Sequence, residues 1–97
     1  MDIKRIENGK SLTIAVEGRL DTTTAPELQK EVSILGDYDE LVFDLEKLSY
    51  ISSAGLRVLM IAHKGMSGKG GVKIANPNDD IKEIFSITGF DSIFNVI

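Results

Sequence analysis

Two adjacent serines, Ser52 and Ser53, stand in the run Ser52-Ser53-Ala54-Gly55-Leu56, between an apolar stretch that reads as a strand and one that reads as a helix. A serine at a helix start can cap backbone N–H groups, which is worth about 1 kcal/mol. The same N–H groups, with the helix dipole, also suit a phosphate added to that serine. Ser53 is therefore either a cap or a phosphate acceptor. Ala54 and Gly55 are small, so a partner's backbone could come close. A glycine inside a helix costs about 1 kcal/mol, and Gly55 needs a reason: tight packing on a sheet, or room for a visitor.

Nucleophilic catalysis by Ser53 would need a base within hydrogen-bond reach. The single histidine, His63, lies ten residues along the same predicted helix, roughly 15 Å away at 1.5 Å per residue. The G-x-S-x-G turn of serine hydrolases is also missing, because Ile51 takes the first glycine position. His63 reads as a partly exposed helix residue. The glycine-rich segment Gly65-Met66-Ser67-Gly68-Lys69-Gly70-Gly71 is no phosphate-binding loop either. His63 stands where the first glycine belongs, Gly70 follows the lysine, and the helix–loop–strand order is reversed. Asp21 reads as a loop or capping residue. Asp44 either accepts backbone bonds at a strand end or lies near the Ser53 turn.

The 97 residues make one domain, and the 42% apolar content supports one core. With no cysteine, disulfides and thiolate metal sites are excluded. A net charge of −4 disfavours nucleic acid. No apolar run approaches the roughly 20 residues that span a bilayer. The expectation is a cytoplasmic monomer without cofactor or metal.

The elements that must position Ser53 follow from patterning. Residues 2–7 read as a short strand, Asn8-Gly9 as a hairpin turn, and Leu12, Ile14 and Val16 as the buried side of a second strand. Thr22-Thr23-Thr24-Ala25-Pro26-Glu27 reads as a helix start with a threonine cap. Leu28, Val32 and Leu35 form that helix's stripe, and Gly36 is its stop signal. Residues 41–45 read as a central strand buried on both faces, and residues 46–51 as a connection. The helix from Ser53 to about Lys64 buries Leu56, Leu59 and Met60, broadened by Val58, Ile61 and Ala62, and exposes Arg57 and Lys64. After the glycine-rich loop come a strand over 72–75 and a helix capped by Asn78 and ended by Gly89. A last strand runs from Phe94 to Ile97. The order β-β-α-β-α-β-α-β implies an α/β fold, a mixed sheet opened by an antiparallel hairpin with helices packed on it.

Gly18-Arg19-Leu20-Asp21, a helix, and the segment from Asp44 to Leu56 resemble the STAS domain, and within it the bacterial anti-sigma factor antagonists. Asn76-Pro77, Ile81 to Phe85 and Gly89-Phe90 also fit, so the likeness spans 1–97 as a single STAS domain. The resemblance implies a non-enzymatic protein that binds an anti-sigma factor, itself an ATP-binding serine kinase, and so releases a sigma factor. The kinase then phosphorylates the serine matching Ser53, and a PP2C-type phosphatase reverses the step. It implies that Asp21, Thr22, Thr23, Ser52, Ser53, Ala54, Gly55 and Arg57 face the partner. The family often has aspartate at Ser52, so this serine is a second candidate acceptor. Many members add a helix after the last strand. The resemblance also allows a second role, a docking subunit of a bacterial phospholipid transporter.

Overall fold

In the computed structural model, which describes residues 1–97, the chain opens with an antiparallel hairpin of β1 (Asp2–Asn8) and β2 (Ser11–Leu20). Asn8 pairs with Ser11, so Gly9 and Lys10 form the two-residue loop. Gly9 takes φ +62, as the first central residue of a II′ turn does. The turn thus sits one residue later than the Asn8-Gly9 signal places it.

Leu12, Ile14 and Val16 share one face of β2 and are fully buried, as a period of two demands. The helix α1 (Ala25–Ser33) leads to β3 (Glu40–Asp44), which lies parallel to β2. Leu41 pairs with Leu12 and Phe43 with Ile14. On the other side of β3, β5 (Val72–Ala75) sets Val72 beside Leu41 and Ile74 beside Phe43. These rows form one apolar surface, and the helices bury their stripes in the same core of 22 residues. Thr13, Ala15, Val42 and Asp44 on the opposite face are only half-buried. β3 is central, as its composition predicts, but only one of its faces is closed.

A sixth strand occupies the segment expected to be a connection. β4 (Leu48–Ile51) runs parallel to the last residues of β2, pairing with Gly18, Arg19 and Leu20. β3 follows β2 only as far as Ala15. Beyond that point the β2 backbone needs new partners, because buried N–H and C=O groups are rarely left unpaired. Leu48 and Ile51 are buried while Ser49 and Tyr50 are exposed. That spacing lacks the alternation by which a strand shows itself in sequence.

α2 (Ser53–Gly65) and α3 (Asp79–Thr88) follow the expected spans. Asn78 caps α3 by accepting the Ile81 N–H at 2.8 Å, and Gly89 ends it. The last strand shortens to β6 (Asn95–Val96), beside β5. In α2, Met60 is only half-buried and Ile61 is 41% exposed, so the buried stripe is narrower than patterning suggests.

The glycine-rich segment holds a short 3-10 turn over Ser67–Lys69. Lys69 Nζ donates to the Tyr38 carbonyl at 2.8 Å and pairs with Asp37 at 2.9 Å. The lysine is thereby bound to the chain's own acceptors. His63 is half-buried: its Nδ1 accepts the Val72 N–H at 3.1 Å, and its ring meets Phe94 edge-on at 5.4 Å. It fastens α2 to β5. Gly71 makes room for that ring, since a Cβ there would lie 2.3 Å from His63 Cε1, and its φ is +80. Gly71→Ala is expected to destabilise the fold by about 2–4 kcal/mol, from left-handed strain plus overpacking. Gly65→Ala, with nothing near its Cβ, is expected to be neutral or to stabilise by about 0.5 kcal/mol. Urea unfolding of the two variants checks the contrast.

Candidate functional site

Strand pairing assembles the site. Leu20 pairs with Ile51, and the Ser52 N–H donates to the Leu20 carbonyl at 2.9 Å. The loop after β2 and the first turn of α2 therefore leave the sheet side by side, at the carboxyl ends of two parallel strands. In open α/β sheets that is where ligand sites collect.

Ser52, not Ser53, is the cap of α2. Its backbone is extended, with φ −97 and ψ 175, and its Oγ accepts the Gly55 N–H at 3.4 Å. Its carbonyl accepts the Leu56 N–H at 2.9 Å. Ser53 is the first helical residue, and its side chain is exposed and makes no hydrogen bond within the chain. The first turn of α2 contains no acidic residue. The positive end of the helix dipole is thus not neutralised from within its own turn.

Gly55 faces inward. A Cβ there would sit 2.7 Å from Leu20 Cγ and 2.9 Å from Ile51 Cγ1, and the residue is buried. Of the two reasons for this glycine, helix–sheet packing is the one that holds. That packing alone requires the glycine, whether or not a partner also approaches it. Ala54 is half-buried, and Arg57, one turn beyond Ser53, is exposed.

Asp21 organises the adjacent loop. Its Oδ1 accepts the Thr23 hydroxyl at 2.7 Å and the N–H groups of Thr23 and Thr24 at 3.0 and 3.2 Å. The Thr24 hydroxyl accepts the Asp21 N–H at 2.9 Å and donates to the Arg19 carbonyl at 2.8 Å. No threonine side chain caps α1. Its first N–H groups are met by Asp21, whose carbonyl takes the Ala25 N–H at 2.8 Å. The Thr23 hydroxyl, aided by the two amides, holds the Asp21 carboxyl below its ordinary range. Thr22 and Thr23 are exposed at the tip.

Asp44 takes the first of its two readings: its Oδ1 accepts the Glu46 N–H at 3.1 Å and the Asn76 side-chain amide at 3.2 Å. Sequence reasoning missed a pair beside the site. The Arg19 guanidinium lies 4.4 Å from the centre of the Tyr50 ring, and its Nε is 3.7 Å from Asp21 Oδ2. The two residues pair across β2 and β4, so only recognition of β4 as a strand would have found them. Sequence reasoning also missed an open groove of about 550 Å³ between α2 and the end of α3. Leu56, Met60, Ile61 and Phe90 give it apolar walls, Arg57 and Lys64 give it charge, and Ser53 borders it.

Because the Asp21 pKa is lowered by folding, its contribution to loop stability is complete at neutral pH and is lost as pH falls through the folded-state value. Thr23→Val is expected to move the Asp21 carboxyl titration upward, toward the ordinary carboxylate range. A carbon-detected NMR titration of the two proteins measures it. Gly55→Ala is expected to cost about 1–2 kcal/mol, overpacking outweighing the gain in helix propensity. Thermal unfolding reads that change.

The model of the STAS domain matches residues 2–97. BtrV of Bordetella bronchiseptica, provisionally named an anti-sigma factor antagonist, is 35% identical over 88 residues, which are 88% of this chain and 76% of that protein. An anti-sigma factor antagonist from Mycobacterium paratuberculosis superposes with a TM-score of 0.89 at 21% identity, over 98% of this chain and 83% of that one. SpoIIAA of Bacillus, solved in its phosphorylated form, gives 0.75 at 16% identity, over 99% and 91%. The two solved structures establish the shared fold. The family model and the BtrV match establish more: the chain belongs to the STAS domain family, with a relative provisionally named an anti-sigma factor antagonist.

Proposed function

We propose that this protein is a non-catalytic binding switch acting in the cytoplasm. Unmodified, it docks on an anti-sigma factor through the loop Asp21–Thr23 and the exposed edge of the first turn of α2, and so frees a sigma factor. Phosphorylation of Ser53 ends the contact. The observation that carries this reading is the Ser53 hydroxyl, exposed and unpartnered at the first position of α2 while Ser52 does the capping.

The chemistry needs no cofactor from this chain. The anti-sigma factor is the kinase and brings ATP with its metal. The Ser53 oxygen attacks the terminal phosphorus, the bond to ADP breaks, and the hydroxyl proton passes to a base of the kinase. A PP2C-type phosphatase later hydrolyses the ester and restores the hydroxyl. The added group carries about −1.5 to −2 charge at neutral pH. At the start of α2 that charge meets orphan N–H groups and the positive dipole end, so the domain tolerates it. At a packed interface the same charge must lose water, and the contact fails. SpoIIAA, a neighbour in fold, has itself been solved phosphorylated. No helix here is long and apolar enough to cross a membrane.

Ser53→Ala is expected to bind the anti-sigma factor and accept no phosphate. Ser53→Asp is expected to keep its circular dichroism spectrum and bind at least about tenfold more weakly, roughly 1.4 kcal/mol. Peptide mapping by mass spectrometry after treatment with kinase and ATP should place the phosphate on Ser53. A phosphate found on Ser52 instead would overturn the assignment.

A further inference from the structure

α2 turns one apolar stripe wholly into the core and carries beside it a second that is only partly covered, Leu56 belonging to both the core and the groove. Gly55, Leu59 and Ala62 turn inward and are buried. Ser53, Leu56, Arg57, Met60, Ile61 and Lys64 fall at i, i+3, i+4, i+7, i+8 and i+11, and all six line the groove against α3. Such spacing is a single helix face. Met60 is half-buried and Ile61 is 41% exposed, although both read as core residues in the sequence.

The charge of this groove opposes that of the molecule. The chain is net −4, yet the groove is lined by two cations and no carboxylate. Neither Arg57 nor Lys64 makes an ion pair, whereas Lys69 and Lys73 are both engaged by carboxylates. Arg57 and Lys64 stand two turns apart, about 10 Å along the axis. The groove is continuous with Ser53, where the proposed docking surface begins.

We propose that this groove receives an acidic amphipathic helix of the partner protein, with apolar side chains between Met60, Ile61 and Phe90 and carboxylates on Arg57 and Lys64. The proposal deepens the function proposed above and rests on that reading for the partner's identity. It also gives phosphorylation a local mechanism. Ser53 and Arg57 are one turn apart on the same face, so a phosphate on Ser53 takes the cation that the partner's carboxylate would use.

The test titrates the isotope-labelled full chain with a synthetic helical peptide bearing Glu at i and i+7 and Leu at i+3 and i+4. A twin peptide has Lys in place of Glu. The acidic peptide should shift the NMR signals of Met60, Ile61, Lys64 and Phe90, and the twin should not. Affinity should fall at least about tenfold in Arg57→Glu and in Lys64→Glu, with Arg57→Gln as the gentler variant, all folded by circular dichroism. Ser53→Asp should weaken the acidic peptide, and Ser53→Ala should not. Equal binding of the twin, a footprint outside the groove, or no groove shift at millimolar peptide would overturn the proposal. So would groove shifts that follow protein concentration alone, which would make a second copy of this chain the occupant. Absence of a phosphate on Ser53 in the kinase experiment leaves this titration unaffected, so the two readings fail separately.

Discussion

The contact of Leu20 with Ile51 and Gly55 fixes both halves of the candidate site. Leu20 is fully buried, its carbonyl holds the Ser52 N–H, and its side chain fills the space that any Cβ on residue 55 would need. It also directly precedes Asp21, so one residue sets both halves of the site. The loop inherits its origin from the end of β2, and α2 inherits its height above the sheet from the missing Gly55 side chain. Neither half can shift without breaking a strand pair or opening the core.

On this frame the two serines divide their work. Ser52 spends its oxygen on the helix, through a long bond to the Gly55 N–H. Ser53 is thereby free of any structural duty, and a group added to it removes no native interaction. Aspartate is as good a cap as serine and complements the dipole, so the departure at Ser52 alters local charge without removing the cap. The carboxylate of the neighbouring loop, Asp21, is held through Oδ1 by Thr23 and Thr24. It holds the shape of the loop, at whose tip Thr22 and Thr23 are exposed.

Much of this was legible in the sequence. The alternation Leu12, Ile14, Val16, the Asn78 cap and the Gly89 stop each rest on local chemistry, and each lies where local rules place it. The run from Ser52 to Leu56 located the start of α2 for the same reason. What stayed hidden depended on contacts distant in sequence. β4 exists because β2 outruns β3, and its burial pattern lacks a period of two. With β4 went the Arg19–Tyr50 pair. Choosing between Ser52 and Ser53 as the cap required the backbone itself, since both have the right side chain and differ by one position. The purpose of Gly55 turned on Leu20, thirty-five residues earlier in the chain.

The two stripes of α2 show how one helix can separate stability from recognition. Its inner stripe meets the sheet through small residues, Gly55 and Ala62, and through Leu59. Changes there move the helix as a body and would carry Ser53 with it. On the outer stripe only Leu56 joins the core, while Ile61 and Arg57 keep much of their surface in water. A monomer gains nothing in stability from an apolar, cationic groove, since exposed isoleucine is neither buried nor solvated well. The partner helix proposed above gives it a role. Under the proposed docking, substitution at Arg57, Ile61 or Lys64 alters affinity with little effect on folding, and substitution at Gly55, Leu59 or Ala62 acts on folding first. That separation is what a phosphorylation switch requires, because the modified state must remain a folded substrate for the phosphatase.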